Sequence, residues 1–126
     1  MRLEISREVV AWISAEAAET PEREVCGLLL GQGLHVTAAL AAQNIAEMPE
    51  TAFEIDPQAL IAAHKAARAG GPAVVGHYHS HPNGRAEPSV RDAAAAKGGE
   101  LWLIVAKGEV TAWLARQNQT FERLAL

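Results

Sequence analysis

The stretch GHYHSHPNGRAEPSVRD, residues 76–92, places three of the chain's five histidines within five positions and follows them with a prolyl turn, a serine and an aspartate. Residues 73–79, AVVGHYH, are apolar and then histidine-rich, which predicts a strand. Pro82-Asn83-Gly84 predicts a turn, and Ser89 opens a short alanine-rich helix that ends near Gly98-Gly99. Alternate side chains of a strand share a face, so His77, His79 and His81 point one way and Tyr78 and Ser80 the other. Two imidazoles at i and i+2 can converge on one metal ion, and the turn at Pro82 brings Asp92 back as the natural third ligand. A His, His, Asp set suits Zn²⁺. Two plainer readings stand beside it. A His-x-His pair in a strand is by itself more often structural, and Ser89-x-x-Asp92 has the outline of a helix capping box.

Outward from this stretch the chain alternates between the two periods. Val9, Val10, Ile13 and Ala17 fall at helical spacing over residues 6–19, with Ser6 as N-cap and Thr20-Pro21 as the stop. Residues 24–31, EVCGLLLG, predict a buried strand, with Gly31-Gln32-Gly33 turning into a partner strand over residues 34–40. Residues 41–52 are irregular and 53–55 predict a short strand. Asp56 and Pro57 open a helix that runs through Leu60, Ile61, His64 and Arg68 and stops at Gly70-Gly71. Past the histidines, residues 101–106 predict a buried strand, Lys107-Gly108 a tight turn, and residues 109–116 and 120–124 the last two strands. The whole predicts an α/β (α+β) fold in one domain over residues 1–126: a mixed sheet with helices packed on it.

Composition narrows the function classes. The chain has 126 residues, 49 % hydrophobic and 21 % charged, an ordinary globular balance long enough for one core. The net charge is −4, and arginines and lysines are scattered singly, so no nucleic-acid partner is expected. The opening MRLEISREVVAWI lacks the apolar core and cleavage site of a secretory signal, and no apolar run approaches the length that spans a bilayer. Cys26 is the single cysteine, which excludes an intrachain disulfide and suits a reducing compartment; a cytoplasmic protein is expected.

His79-Ser-His81, seven residues, then Ser89-Val-Arg-Asp92 matches at every fixed position the H-x-H-x(7)-S-x-x-D signature of the JAMM (MPN-plus) zinc metallopeptidases, which the chain resembles. Glu24-Val-Cys-Gly27 with Gly31 looks like that family's first strand, which carries its catalytic glutamate. Phe53-Glu-Ile-Asp-Pro57 and Val75-Gly76 resemble the segments before the zinc strand, so the likeness spans about residues 3 to 115. It implies a curved mixed sheet of cytidine-deaminase-like architecture. It further implies one Zn²⁺ per chain on His79, His81 and Asp92, a water in the fourth place, Glu24 as general base and Ser89 stabilising the tetrahedral intermediate. The paired cysteines of deaminase chemistry are absent.

Family members cleave peptide or isopeptide bonds after the tail of ubiquitin or a ubiquitin-like protein. With a short 41–52 connection and tight final hairpins, this chain resembles the compact stand-alone prokaryotic type, some of which process sulfur carriers ending in Gly-Gly. The resemblance thus implies an amide hydrolase acting on such a carrier or its C-terminal conjugate, and leaves a homodimer open. The rival from another class is a non-catalytic MPN-type scaffold that binds a partner protein and retains zinc. On the residues alone Glu24 also reads as a solvated strand-edge carboxylate. Cys26, two positions on, offers a thiolate that would close the metal site as a structural one. His77 is not a fixed family position and reads as a packed histidine beside the site.

Overall fold

A computed structural model describes all 126 residues. Ser6 caps the first helix, α1 (Arg7–Glu19), by accepting the Val9 N–H at 3.2 Å, and the helix buries Ile13 completely. Glu4–Ile5 forms a short strand β1 ahead of it. The hairpin β2 (Cys26–Gln32) and β3 (His35–Ala42) leads to helix α2 (Pro57–Arg68), whose N-cap Asp56 accepts the Gln58 N–H at 3.1 Å. Strand β4 (Ala73–Ser80), the short helix α3 (Val90–Ala95), and strands β5 (Leu101–Ala106), β6 (Glu109–Arg116) and β7 (Thr120–Leu124) complete the chain.

The strands make one seven-stranded sheet in the order β1-β3-β2-β4-β5-β6-β7. It is mixed as expected: β1–β3 and β4–β5 are parallel and the other pairs antiparallel. The sheet curls until its ends meet, where the Leu3 N–H donates to the Ala125 carbonyl at 2.9 Å and the Ala125 N–H to the Met1 carbonyl at 3.0 Å. That closure removes most of the free edge. Helix α1 sits inside the curl, and the core there joins Ile13 to Leu3, Leu29, Val36, Tyr78 and Leu103. The other face carries Leu28, His79, Trp102 and Ile104, all buried, with α2 packed over β4. No helix is long and apolar enough to cross a membrane.

Three expectations shift. Residues 53–55 make only a single bridge, Asn44 to Ile55, because the Asn44 side chain takes the backbone groups that a ladder would use. The helix after Ser89 stops at Ala95, since Ala96 is extended and the Lys97 N–H is taken by the Glu100 carboxylate at 2.9 Å. Strand β1 was not foreseen; two residues carry no readable period.

Candidate metal centre

Strand β4 lies mid-sheet, bonded to β2 on one side and β5 on the other, so His79 is held from both flanks and is fully buried. His81 lies one residue past the strand, but its N–H still donates to the Val105 carbonyl at 2.8 Å. The two Nε2 atoms are 2.9 Å apart. Asp92 closes on them from α3: its Oδ2 is 3.2 Å from His79 Nε2 and 3.0 Å from His81 Nε2.

The capping box and the carboxylate cluster prove to be one object. The Asp92 N–H donates to Ser89 Oγ at 3.0 Å, and the Ser89 N–H donates to Asp92 Oδ2 at 2.9 Å. The cap fixes the carboxylate that faces the imidazoles. His81 is oriented from behind, with Nδ1 2.7 Å from the Arg85 carbonyl. A carbonyl only accepts, so Nδ1 carries a proton and Nε2 is the ring nitrogen turned toward the cluster. The Arg85 loop is itself tied to β6, where Thr111 Oγ1 donates to the Ala86 carbonyl at 2.6 Å and accepts from Trp113 Nε1 at 2.9 Å.

Glu24 lies in the segment entering β2, not within the strand. Its backbone is held on several sides: the N–H donates to the Pro49 carbonyl at 2.7 Å, and the carbonyl accepts from Asn44 Nδ2 at 2.9 Å. The next residue is locked to the histidine strand β4, because the Val25 N–H donates to Ser80 Oγ at 2.8 Å and the Ser80 N–H to the Val25 carbonyl at 3.0 Å. The buried carboxylate therefore reaches the histidines; ligand atoms of Glu24, His79 and His81 all lie within 4.8 Å of one another. The solvated strand-edge reading of Glu24 does not hold.

Electrostatics follow the crowding. Burial pushes Glu24 up to about 7, partly offset by His81. Burial drives His79 down against its hydrogen bond to Asp92, whereas for His81 burial is outweighed by the Asp92 and Arg85 contacts, which raise it. For Asp92 burial acts upward, but the hydrogen bonds from both imidazoles hold it well below the usual carboxylate range. Glu24 Oε1 is buried with no hydrogen-bond partner. Two converging imidazoles, a buried carboxylate held against them and an unpartnered carboxylate oxygen nearby fit a divalent cation of borderline softness.

Two other residues fall outside the cluster. His77 shares the face of His79 but its ring is 6.4 Å away and packs edge-on against Trp102 at 4.3 Å; burial pushes it down to about 3. Cys26 pairs with His79 across the ladder, yet its Sγ lies 3.8 Å from the Ala42 carbonyl and burial pushes the thiol up to about 12. The thiol does not join the Glu24, His79 and His81 group, so no cysteine-closed site is assembled. Asn44, Ser80 and Thr111 are the contributors that sequence reading missed; the contacts by which they brace the site reach partners 8 to 55 positions away, and no local spacing signals them.

A curled mixed sheet with this constellation at the end of its central strand defines the JAB/MPN class of domain. A JAB1/MPN domain protein from Archaeoglobus fulgidus shares the fold, with a TM-score of 0.66 over 98 % of this chain and 97 % of that one at 18 % identity. A solution structure from Salinibacter ruber matches at a TM-score of 0.71 and 30 % identity, covering 98 % and 90 %. Within that class the chain belongs to the prokaryotic homologues of the JAB domain, whose family model matches residues 6–118. Among curated relatives it is 39 % identical over 100 residues to the Desampylase of Haloferax volcanii, covering 76 % of this chain and 72 % of that one. It is 32 % identical over 117 residues to a Thermus thermophilus protein named "Probable TtuB-protein conjugate cleaving protease", covering 93 % and 78 %.

Proposed function

We propose that the chain, as one domain over residues 1–126, is a zinc-dependent peptidase that hydrolyses the amide bond after the Gly-Gly tail of a ubiquitin-like, sulfur-carrier-type protein. The observation that carries this reading is a buried, unpaired Glu24 carboxylate beside the His79–His81 pair. The names of the two curated relatives, a desampylase and a conjugate-cleaving protease, support the substrate class. His79, His81 and Asp92 would hold the zinc, one per chain. Held there, zinc would supply a Lewis acid able to activate water at neutral pH and to polarise the scissile carbonyl.

The chain's own residues do the rest. Glu24, buried beside the His79–His81 pair, would take a proton from the attacking water and return it to the leaving amine as the C–N bond breaks. Ser89 Oγ accepts the Asp92 N–H, which leaves its own proton free to donate toward the developing oxyanion. Both residues line a narrow cleft of about 90 Å³ together with His81 and Pro82. A cleft that tight suits glycines, whose backbone approaches where a side chain would clash. Every group required comes from one chain, so the chemistry needs no second copy. The lone cysteine fits a cytoplasmic setting.

Zinc-loaded protein should release the attached group from a carrier conjugate, and Glu24→Gln should abolish release while zinc stays at one per chain. Undiminished release by that variant sinks the mechanism. One zinc per chain with no release from any carrier conjugate would favour the non-catalytic scaffold.

A further inference from the structure

A second cavity, about 470 Å³, opens at the carboxyl ends of the parallel strands β4 and β5. Its walls include Ser14 and Ala17 of α1, Ser80, His81, Pro82 and Lys107. His81 and Pro82 also line the cleft that holds Glu24 and Ser89, so the two cavities meet at that pair.

Lys107 is the only charged side chain in this cavity apart from the His81 ring, and none of the protein's four ion pairs includes it. Its backbone is unusual. Lys107 and Gly108 form the two-residue turn between β5 and β6 with φ of 49° and 82°. Turns of that kind favour Asn, Asp or Gly at the first position, and lysine there is strained. The stem then lies across the loop that follows His81: a Cβ on Gly84 would sit 2.8 Å from Lys107 Cε and 3.1 Å from Nζ. A lysine at a turn position that disfavours it, in no ion pair and lining the cavity that meets the catalytic cleft, marks a ligand-facing role.

We infer that this cavity receives the leaving residue and that Lys107 binds that residue's free carboxylate. The inference rests on the amide hydrolysis proposed above. Hydrolysis after Gly-Gly releases an amine of one of two kinds. A lysine side chain in a protein conjugate brings no charge near the scissile bond, whereas a single C-terminal amino acid carries its carboxylate within the same residue. A cation in the cavity that adjoins the cleft suits the second kind. The chain is then tuned to strip a short C-terminal extension.

The test uses a ubiquitin-like carrier extended beyond Gly-Gly by one alanine, prepared as the free acid and as the carboxamide, with zinc-loaded protein. The acid should be cleaved with a kcat/KM about tenfold above the amide, and added salt should shrink the gap. In Lys107→Gln the ratio should collapse toward one. Lys107→Gly should lose the same selectivity while its Tm rises, because the turn strain is relieved; misfolding cannot yield that combination. Equal rates on acid and amide in the wild type, or a ratio that survives in the variants, overturn the inference. A binding arm separates this from failure of the hydrolase reading. N-acetyl-Gly-Gly-Ala as the acid, and not as the amide, should shift the Gly84 and Gly108 amide resonances of the wild type and leave those of Lys107→Gln unmoved. Absent or equal shifts overturn the Lys107 role even if neither carrier is cleaved.

Discussion

Removing the Asn44 side chain should uncouple the proposed base from the proposed metal ligands. Asn44 uses every hydrogen-bonding site it has. Its Nδ2 donates to the Glu24 carbonyl at 2.9 Å and the Ala52 carbonyl at 3.1 Å, and its Oδ1 accepts from the Ala46 and Glu54 N–H groups at 3.0 Å each. Three of these four bonds are partly buried and the Glu54 bond is exposed. Asn44→Ala leaves the exposed group to water and the other three unpaired. At about 1 kcal/mol for each partly buried bond, the loss is about 3 kcal/mol. For a domain of this size that corresponds to roughly 10 °C in Tm. The Glu24 carbonyl would be freed at the same time, and a base displaced by about 1 Å costs on the order of 100-fold in kcat. Zinc affinity should hold, because Asn44 touches none of His79, His81 or Asp92. Urea melts, single-turnover kinetics and zinc competition on one preparation read all three. Full activity alongside the stability loss would refute the positioning role, and zinc affinity falling in step with kcat would refute the separation of base from ligands.

Thr111→Val should act on the opposite half. It unties the Arg85–Ala86 loop that orients His81, so zinc affinity should fall about tenfold and recover in Thr111→Ser; unchanged affinity in the valine variant would show that the loop holds without β6. Glu24→Gln should stabilise the metal-free protein in a pH-dependent way. Burial lifts Glu24 from 4.5 to about 7, so the folded chain keeps a proton that the unfolded chain releases. Stability from that proton is complete below 4.5 and lost as pH rises through 7, whereas glutamine never loses it. The variant should therefore exceed the wild type by about 3 kcal/mol at pH 8 and match it near pH 4. A gap that is the same at both pH values would contradict the burial argument.

How much of this was legible in the sequence depends on how far apart the cooperating residues lie. His79, His81, Ser89 and Asp92 sit within one turn-linked stretch, and strand alternation plus the capping pattern describe their arrangement. The sheet and its helices were readable for the same reason: Ser6, Asp56 and Ser89 all cap where their residue types suggest. The local patterns mislead where a side chain supplants the backbone ladder. Asn44 looked like a breaker in an irregular segment, yet it organises residues 44–54 and reaches back to Glu24. The placement of Glu24 itself depends on Ser80, a strand residue facing away from the histidines, through the Val25 contact 55 positions distant. Curling of the sheet onto itself, through Leu3 and Ala125, has no local signature at all.

The site divides its rigidity unevenly, and the division fits the chemistry proposed for it. His79 is clamped in the middle of the sheet, His81 by two backbone carbonyls, and Asp92 by its own helix cap. Ligand atoms must hold one geometry for a metal, so clamping costs nothing in function. Glu24 is different: its backbone is pinned, but its carboxylate has an oxygen with no partner. A base that must collect a proton from one atom and deliver it to another would be hindered by a permanent hydrogen bond on that oxygen. Burial without a partner also raises the group's pKa in the metal-free protein, to about 7. The stability that Glu24→Gln should recover above that pH is then the cost of keeping a working carboxylate in a dry site. An unpaired buried oxygen that would count as a defect in a core is here the feature that would let one residue act as base and then as acid, as proposed.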